Sequence, residues 1–271
     1  SMSEQRVKTF LENGVGRVTL SRPGKKNALD LAMFEGLAEA AEKLRGEPDL
    51  RAVVLHGEGS AFCSGLDVQN FMADPQVIGR LLQKTPGETA NLAQRVAWTW
   101  REMPVPVIAA LQGEVFGGGL QIALGADIRI AATDAALSVM EIRWGIIPDM
   151  AGSRILKDLV GYDVAMELAL TGRILGAEEA ARIGLVTGIA ADPLAEAMRI
   201  ASAIAGRSPD AVRAVKYLLR KSGRLGDEEG LELETRLQMS LLGGRNQMEA
   251  ARAGLERREP EFVPASIEIP K

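Results

Sequence analysis

The chain has 271 residues, with 36 Asp and Glu against 32 Lys and Arg, so its formal net charge is −4. That balance argues against nucleic acid or an anionic membrane as a partner, and no apolar stretch is long enough to span a bilayer. A single cysteine excludes an internal disulfide and fits a reducing cytoplasm, and a single histidine excludes a histidine-cluster metal site within one chain.

Ser1 ahead of Met2 reads as an added residue, and nothing after it resembles a signal peptide. Val7–Glu12 and Val15–Leu20 alternate as two strands, joined by Asn13-Gly14, a hairpin signal. Residues 22–29 form a turn-rich connection with three positive charges, Arg22, Lys25 and Lys26. Asp30 reads as an N-cap for a helix whose stripe is Leu31, Phe34, Leu37, Ala38, Ala41 and Leu44. Residues 52–55 are a buried strand ending at His56, which reads as structural and not as a base. In the loop 57–67 the backbone, more than the side chains, is expected to carry function. There Cys63 reads as a buried, inert thiol and Asp67 as a turn-stabilising carboxylate.

Residues 70–86 have weak periodicity, with breaks near Pro75, Gly79 and Pro86, and read as a surface connection. Residues 90–101 should be helical, with Trp98 and Trp100 on different faces. Val107–Leu111 reads as a buried strand and Ile128–Ala131 as another. Between them, Gly117, Gly118 and Gly119 precede a short helical segment (Leu120, Ala123, Leu124). The glycines serve either close packing and positive φ or a helix start whose free N–H groups favour negative charge. Neither phosphate-binding glycine spacing occurs. Beyond Asp149 the chain should be helical at 153–160, 163–170, 177–183, 194–205 and 211–219, with an extended piece at 186–189. Two further helices fall within 227–258, split at Gly243-Gly244. The alternation of strands and helices indicates α/β architecture. No linker or repeat separates independent domains.

Ala61-Phe-Cys-Ser-Gly-Leu-Asp67, Phe116-Gly-Gly-Gly-Leu120, Ala126-Asp-Ile-Arg-Ile-Ala131 and the run from Glu141 to Asp149 together resemble the crotonase (enoyl-CoA hydratase/isomerase) superfamily. The resemblance extends from Val7 to about Phe262. It implies a spiral of ββα units over residues 1–200 and a C-terminal helical trimerisation region over 201–271, assembled as a homotrimer or a dimer of trimers. It implies an acyl-CoA substrate, with coenzyme A part of that substrate and no separate cofactor. In such enzymes the thioester oxygen lies between two backbone N–H groups, here those of Leu66 and Gly118. Preorganised donors of this kind stabilise an enolate by about 3 kcal/mol each.

Family hydratases use two glutamates to hold water. This chain has Gln121 at the first position and Glu141 at the second. Gln hydrogen-bonds water but exchanges no proton at neutral pH, so Gln121 is expected to line the pocket. Asp149, eight residues beyond Glu141, matches the acidic residue of dienoyl-CoA isomerases; its alternative is a helix N-cap. The resemblance therefore points to double-bond migration with Glu141 and Asp149 as the acids. A 2-enoyl-CoA hydratase using Glu141, or a non-catalytic acyl-CoA binder, is the alternative. Candidates for coenzyme A contact are Lys25, Ala61, Ser64, Leu66 and Arg257, the last matching a family lysine that often comes from an adjacent subunit. In the family, the stretch equivalent to 70–86 helps shape the acyl pocket.

Overall fold

The computed structural model describes residues 5–269; Ser1 and Met2 lie outside them. Strands β1 (Val7–Glu12) and β2 (Val15–Leu20) pair antiparallel across Asn13 and Gly14. Both turn residues have positive φ, 51° and 80°, as a tight hairpin requires. Helix α1 (Leu31–Arg45) begins where the Asp30 carboxylate accepts the Met33 N–H at 2.9 Å, and its Phe34, Leu37, Ala41 and Leu44 are buried. β3 (Ala52–Gly57) joins β2 in parallel.

Residues 70–86 differ from a plain surface connection. They contribute to α2 (Val68–Ala73) and α3 (Pro75–Leu82), which bury Phe71, Val77 and Leu81. Asp67 caps the first and Asp74 the second. Two short helices broken at Pro75 have unrelated phases, so no single period spans the segment.

The core continues through α4 (Leu92–Glu102), β4 (Val107–Leu111), β5 (Glu114–Phe116), α5 (Gly118–Gly125), β6 (Ile128–Ala131) and β7 (Ala136–Ser138). After Asp149 come α6 (Leu156–Val160), α7 (Tyr162–Thr171), β8 (Leu175–Gly176), α8 (Ala177–Arg182), β9 (Gly188–Ile189) and α9 (Pro193–Ala205). Then follow α10 (Pro209–Ser222), α11 (Asp227–Leu241) and α12 (Arg245–Glu256). None of these helices is long and apolar enough to cross a membrane.

The main sheet has the order β1-β2-β3-β4-β6-β9, parallel from β2 onward, and a second sheet has the order β5-β7-β8. The successive pairs β4–β5 and β6–β7 each give one strand to each sheet, so the chain spirals, whereas β1 and β2 both lie in the main sheet. α1, α4 and α5 cover one face of the main sheet. α9 covers the other, setting Ala197, Ala201 and Ala205 on Ala52, Val54, Ile108, Ala110 and Ile130. Burial on both faces explains why β3 and β4 read as unbroken apolar runs. Residue 200, the expected division of the chain, lies within α9.

The last helices form a smaller cluster around Ala214, Leu233 and Leu237 with Ile267 and Ile269. Buried Lys216 ties it to the core. Its ammonium donates to the carbonyls of Trp100 and Val105, both at 2.9 Å, and pairs with Asp127 at 2.8 Å. Burial outweighs these partners and lowers its pKa to about 8. Lys216→Met would leave two carbonyls and a carboxylate without their donor, so it should cost about 3–5 kcal/mol in urea denaturation. An unfolded lysine titrates near ~10.4, so between the two values the unfolded chain binds more protons and stability rises with pH. The wild-type-minus-variant difference should therefore grow from pH 8 to pH 10; a flat difference would show that Lys216 is not buried as a cation.

Candidate active site

The site begins with a loop held from below. Asn27, fully buried at φ 55°, accepts the Arg22 N–H and donates to the carbonyls of Glu58, Ala61 and Phe62. Arg22, one of the three cations of this turn, faces inward. It turns in to Asp67 at 2.8 Å and to Asp30 at 3.7 Å. Leu29 then forms a parallel bridge with Leu66: its N–H donates to Gly65 O at 2.8 Å, and its carbonyl accepts the Asp67 N–H at 3.0 Å. A parallel bridge uses the groups flanking a residue, so the N–H of Leu66 itself points away, toward the cavity.

Gly118 opens α5, so its N–H is one of the unpaired donors of a first helical turn. The two amides are neighbours, since a Cβ at Gly65 would lie 3.7 Å from Gly118 N. Each of the three glycines has its own reason. Gly117 sits at φ 53°, strained for other residues. A Cβ on Gly118 would lie 2.9 Å from Leu29 Cδ1 and from Met150 Sδ, and one on Gly119 would run into the Cys63 carbonyl. Gly118 is thus forced by the packing beneath it. The sequence suggested close packing, positive φ or a donor site as alternatives, and all three occur together.

Glu141 is buried, and its Oε1 accepts from Gln121 Nε2 at 2.7 Å. Its Oε2 is buried without a partner. Burial pushes the carboxyl up, and the nearby Asp149 adds to this against the Gln121 hydrogen bond. The other end of Gln121 is also committed: Oε1 accepts the N–H groups of Met150 at 2.8 Å and Gly152 at 3.1 Å. Asp149 caps no helix, because the next 3₁₀ turn, Gly152–Arg154, has Ala151 at its N-cap and no side-chain cap. Its side chain opens to the cavity, yet the protein around it still pushes its carboxyl up by desolvation.

These groups surround two adjoining chambers. One, of about 380 Å³, is lined by Leu66, Gly118, Gln121, Glu141 and Asp149, with Phe34, Phe71, Leu81, Leu82 and Ile147 forming an apolar wall. The other, of about 400 Å³, runs from Ser64 to Trp144. Leu66, Gly118 and Glu141 belong to both. The arrangement can hold an oxyanion at two amides and move a proton at a carboxylate within an apolar slot. α2 and α3 supply most of the slot's far wall, the role that the family resemblance implied for 70–86 and that the residue pattern alone did not.

Of the candidates for coenzyme A contact, Ser64 and Leu66 line a chamber. Lys25 is exposed on the turn whose carbonyl meets Ser64 Oγ at 3.5 Å. Ala61 is buried with its carbonyl taken by Asn27, and Arg257 closes α12 at φ 53°; neither lines a chamber. His56 packs against Thr19 Oγ1 at 2.7 Å, with a pKa lowered by burial to about 4. Burial raises the Cys63 thiol to about 12. Both are structural, as expected. Among the described residues no cluster of His, Cys, Asp and Glu is placed to hold a metal ion.

A family model described as enoyl-CoA hydratase/isomerase matches residues 11–264. The chain is 30% identical to an enoyl-CoA hydratase of Mycobacterium tuberculosis, covering 90% of this chain and 91% of that one. It is 31% identical to a peroxisomal Delta(3,5)-Delta(2,4)-dienoyl-CoA isomerase of Arabidopsis thaliana, with 95% of each chain covered. The crystal structure of an enoyl-CoA hydratase from Bacillus anthracis superposes with a TM-score of 0.88 at 30% identity, over 96% of this chain and 99% of that chain.

The packing of α5 on the loop is directly testable. Gly119→Ala should cost about 1–3 kcal/mol by overpacking, read as a lower urea midpoint. Gly24→Ala, where a Cβ would meet nothing within 4 Å, is the control. Equal midpoints for the two variants would mean that the helix and loop are not in contact.

Proposed function

The chain belongs to the enoyl-CoA hydratase/isomerase family, and from that premise we propose that it moves a double bond along the acyl chain of a CoA thioester. The substrate in this reading is a 3-enoyl- or 3,5-dienoyl-CoA. One observation carries it: Gln121 has both ends of its amide committed, while Glu141 Oε2 is free and Asp149 lies along the same slot. A glutamine held so tightly has no proton to exchange, which leaves two carboxyls at separate points along one acyl chain.

The thioester oxygen takes the N–H groups of Leu66 and Gly118. Glu141 Oε2 removes a proton from the carbon beside the thioester, and the electron pair moves to the held oxygen. Asp149, protonated at the start, returns a proton to the far carbon as the electrons move back. Glu141 then loses its proton and Asp149 regains one through solvent, so atoms and charge balance. No electron transfer occurs, and coenzyme A, as part of the substrate, is the sole carrier required. Ser64 and Lys25 border its path. A second reading, hydration by Glu141 alone, is favoured by relatives named hydratases, such as the Mycobacterium tuberculosis protein.

Assembly belongs to the same proposal. Tyr162, Met166 and Leu170 form an exposed stripe along α7, with Ile142 and Ile174 beside it. Spacing of four puts them on one face, and such a patch marks a protein contact. A homotrimer or dimer of trimers would cover it and bring a neighbour's Arg257 toward the coenzyme. Sedimentation should give a trimer or hexamer, with Met166→Glu shifting it toward monomer; a fully active wild-type monomer would refute this.

The two acids separate in a deuterium-exchange experiment. Asp149→Asn should still exchange the proton beside the thioester with deuterated solvent while losing double-bond migration by ~10²–10⁴. Glu141→Gln should lose both. Glu141 must be ionised to act, and its carboxyl is shifted up, so the acid limb of kcat/KM should lie above the usual carboxylate range. Rapid hydration of 2-enoyl-CoA with no isomerisation of either substrate would reject this reading in favour of the hydratase.

A further inference from the structure

The segment 61–67, which carries the N–H of Leu66, is laced along both sides. On one side it meets residues 26–29: the Ser64 N–H donates to Lys26 O at 3.0 Å, and Leu29 engages Gly65 O and the Asp67 N–H. On the other it meets residues 112–116. The N–H groups of Phe62 and Cys63 donate to Gln112 O and Glu114 O at 2.8 and 3.1 Å, and Cys63 O accepts the Phe116 N–H. Between Gly57, where β3 ends, and Phe62 the loop must turn back, and there a side chain takes over. Asn27 Nδ2 lies 3.0 Å from Glu58 O, 2.9 Å from Ala61 O and 3.2 Å from Phe62 O.

Asparagine suits both demands of this position. Its φ of 55° falls in the left-handed region, which asparagine enters more readily than most residues with a side chain. Its amide donates to the loop carbonyls at one end and accepts the Arg22 N–H at 2.8 Å at the other. Glycine would supply the backbone conformation without the amide. Aspartate would supply the shape but turn an oxygen toward the carbonyls. The surroundings are fitted to the amide as well: a Cβ on Gly57 would lie 2.5 Å from Phe62 O and 2.8 Å from Asn27 Nδ2.

We infer that Asn27 is a positioning residue for the reaction: it fixes the start of the loop as Leu29 fixes its end, and so aims the Leu66 N–H and sets its spacing from that of Gly118. The inference rests on the proposal that these two amides hold the thioester oxygen. Two anchors settle the direction of a segment where one would leave it free to swing. The effect reaches the second amide because Cys63 lies between the anchors. Its carbonyl accepts the Phe116 N–H, and Gly119 packs so closely that a Cβ there would come within 2.3 Å of that oxygen. A shift of the loop therefore displaces the turn that presents Gly118. Asn27 is fully buried and lines neither chamber, so it acts only through the backbone it holds. Misplacement of reacting groups by about 1 Å can cost ~10²-fold in rate.

The test uses 4-(dimethylamino)cinnamoyl-CoA, whose absorption moves to longer wavelength as hydrogen-bond donors polarise its thioester oxygen. Asn27→Gly keeps the backbone conformation and deletes the amide. At saturating protein it should show a smaller red shift than the wild type. Its kcat on the best wild-type substrate should fall about tenfold to a hundredfold, less than the ~10²–10³ for loss of a whole donor, with KM changed less than about threefold. Lys216→Met, which weakens the fold away from the site, should keep the wild-type red shift. If Asn27→Gly does not fold, Asn27→Ser, which keeps a hydroxyl in place of the amide, is read by the same two measures. A folded variant with a lower urea midpoint but a full red shift and wild-type kcat would overturn the inference and leave Asn27 a purely structural residue. An equal loss of red shift in Lys216→Met would also overturn it, since general loosening would then suffice. The red shift reads the thioester alone, so it is independent of the choice between isomerase and hydratase. A wild-type protein that fails to bind the probe, or binds it with no red shift, would reject the amide pair and this inference together.

Discussion

Leu29 joins the two halves of the site, and almost everything about the site's geometry depends on it. Its backbone engages Gly65 and Asp67, so that the N–H of Leu66 between them is left over. Its side chain lies beneath Gly118 and leaves no room for a Cβ there. One fully buried residue thereby orients one donor and sets the height of the other. Around it the fit is equally close. Gly119 rests on the Cys63 carbonyl, and the Phe116 N–H donates to that same carbonyl at 3.1 Å. The donors are held before any ligand arrives, which is what makes such a pair effective.

The carboxyls follow a related logic of neighbours. Glu141 is raised by burial and by Asp149, while Gln121 pulls it back. Two carboxyls that repel each other in a dry slot hold one proton between them more readily than two separate acids would. A site with one ionised and one protonated carboxyl is suited to taking a proton at one place and giving it at another. The slot's walls are apolar from Phe34 to Ile147, and such walls screen the two charges less than bulk water would.

The sequence was legible where local chemistry decides the outcome. Asn13-Gly14 gave the hairpin, Asp30 the cap, and the apolar runs the central strands, because each depends on nearest neighbours. Family motifs marked Leu66, Gly118, Gln121, Glu141 and Asp149, and the fold brings all five to one slot. What stayed hidden depends on distant partners. Arg22 showed in the sequence only as one of three cations in a turn; that it braces Asp67 and Asp30 depends on partners brought in by the fold. Asn27 gave no sign that its amide would hold three carbonyls of a loop more than thirty residues on. Residues 70–86 concealed two helices, since each is too short to show a period across Pro75. Lys216 reads as one more surface lysine on an amphipathic helix until Asp127 is placed beside it.

Gln121 bears on how such an enzyme could change over evolutionary time. Its amide is polar in a defined sense: the oxygen accepts twice from the turn at Met150 and Gly152, and the nitrogen donates once to Glu141. An ionised glutamate at this position would keep the first role and reverse the second, setting two negative oxygens where a donor now meets an acceptor. A lineage moving between one glutamate and two could not cross by that single replacement without also resetting the proton on Glu141 or reshaping the turn after Asp149. Position 121 and the turn it holds should therefore be inherited as a unit.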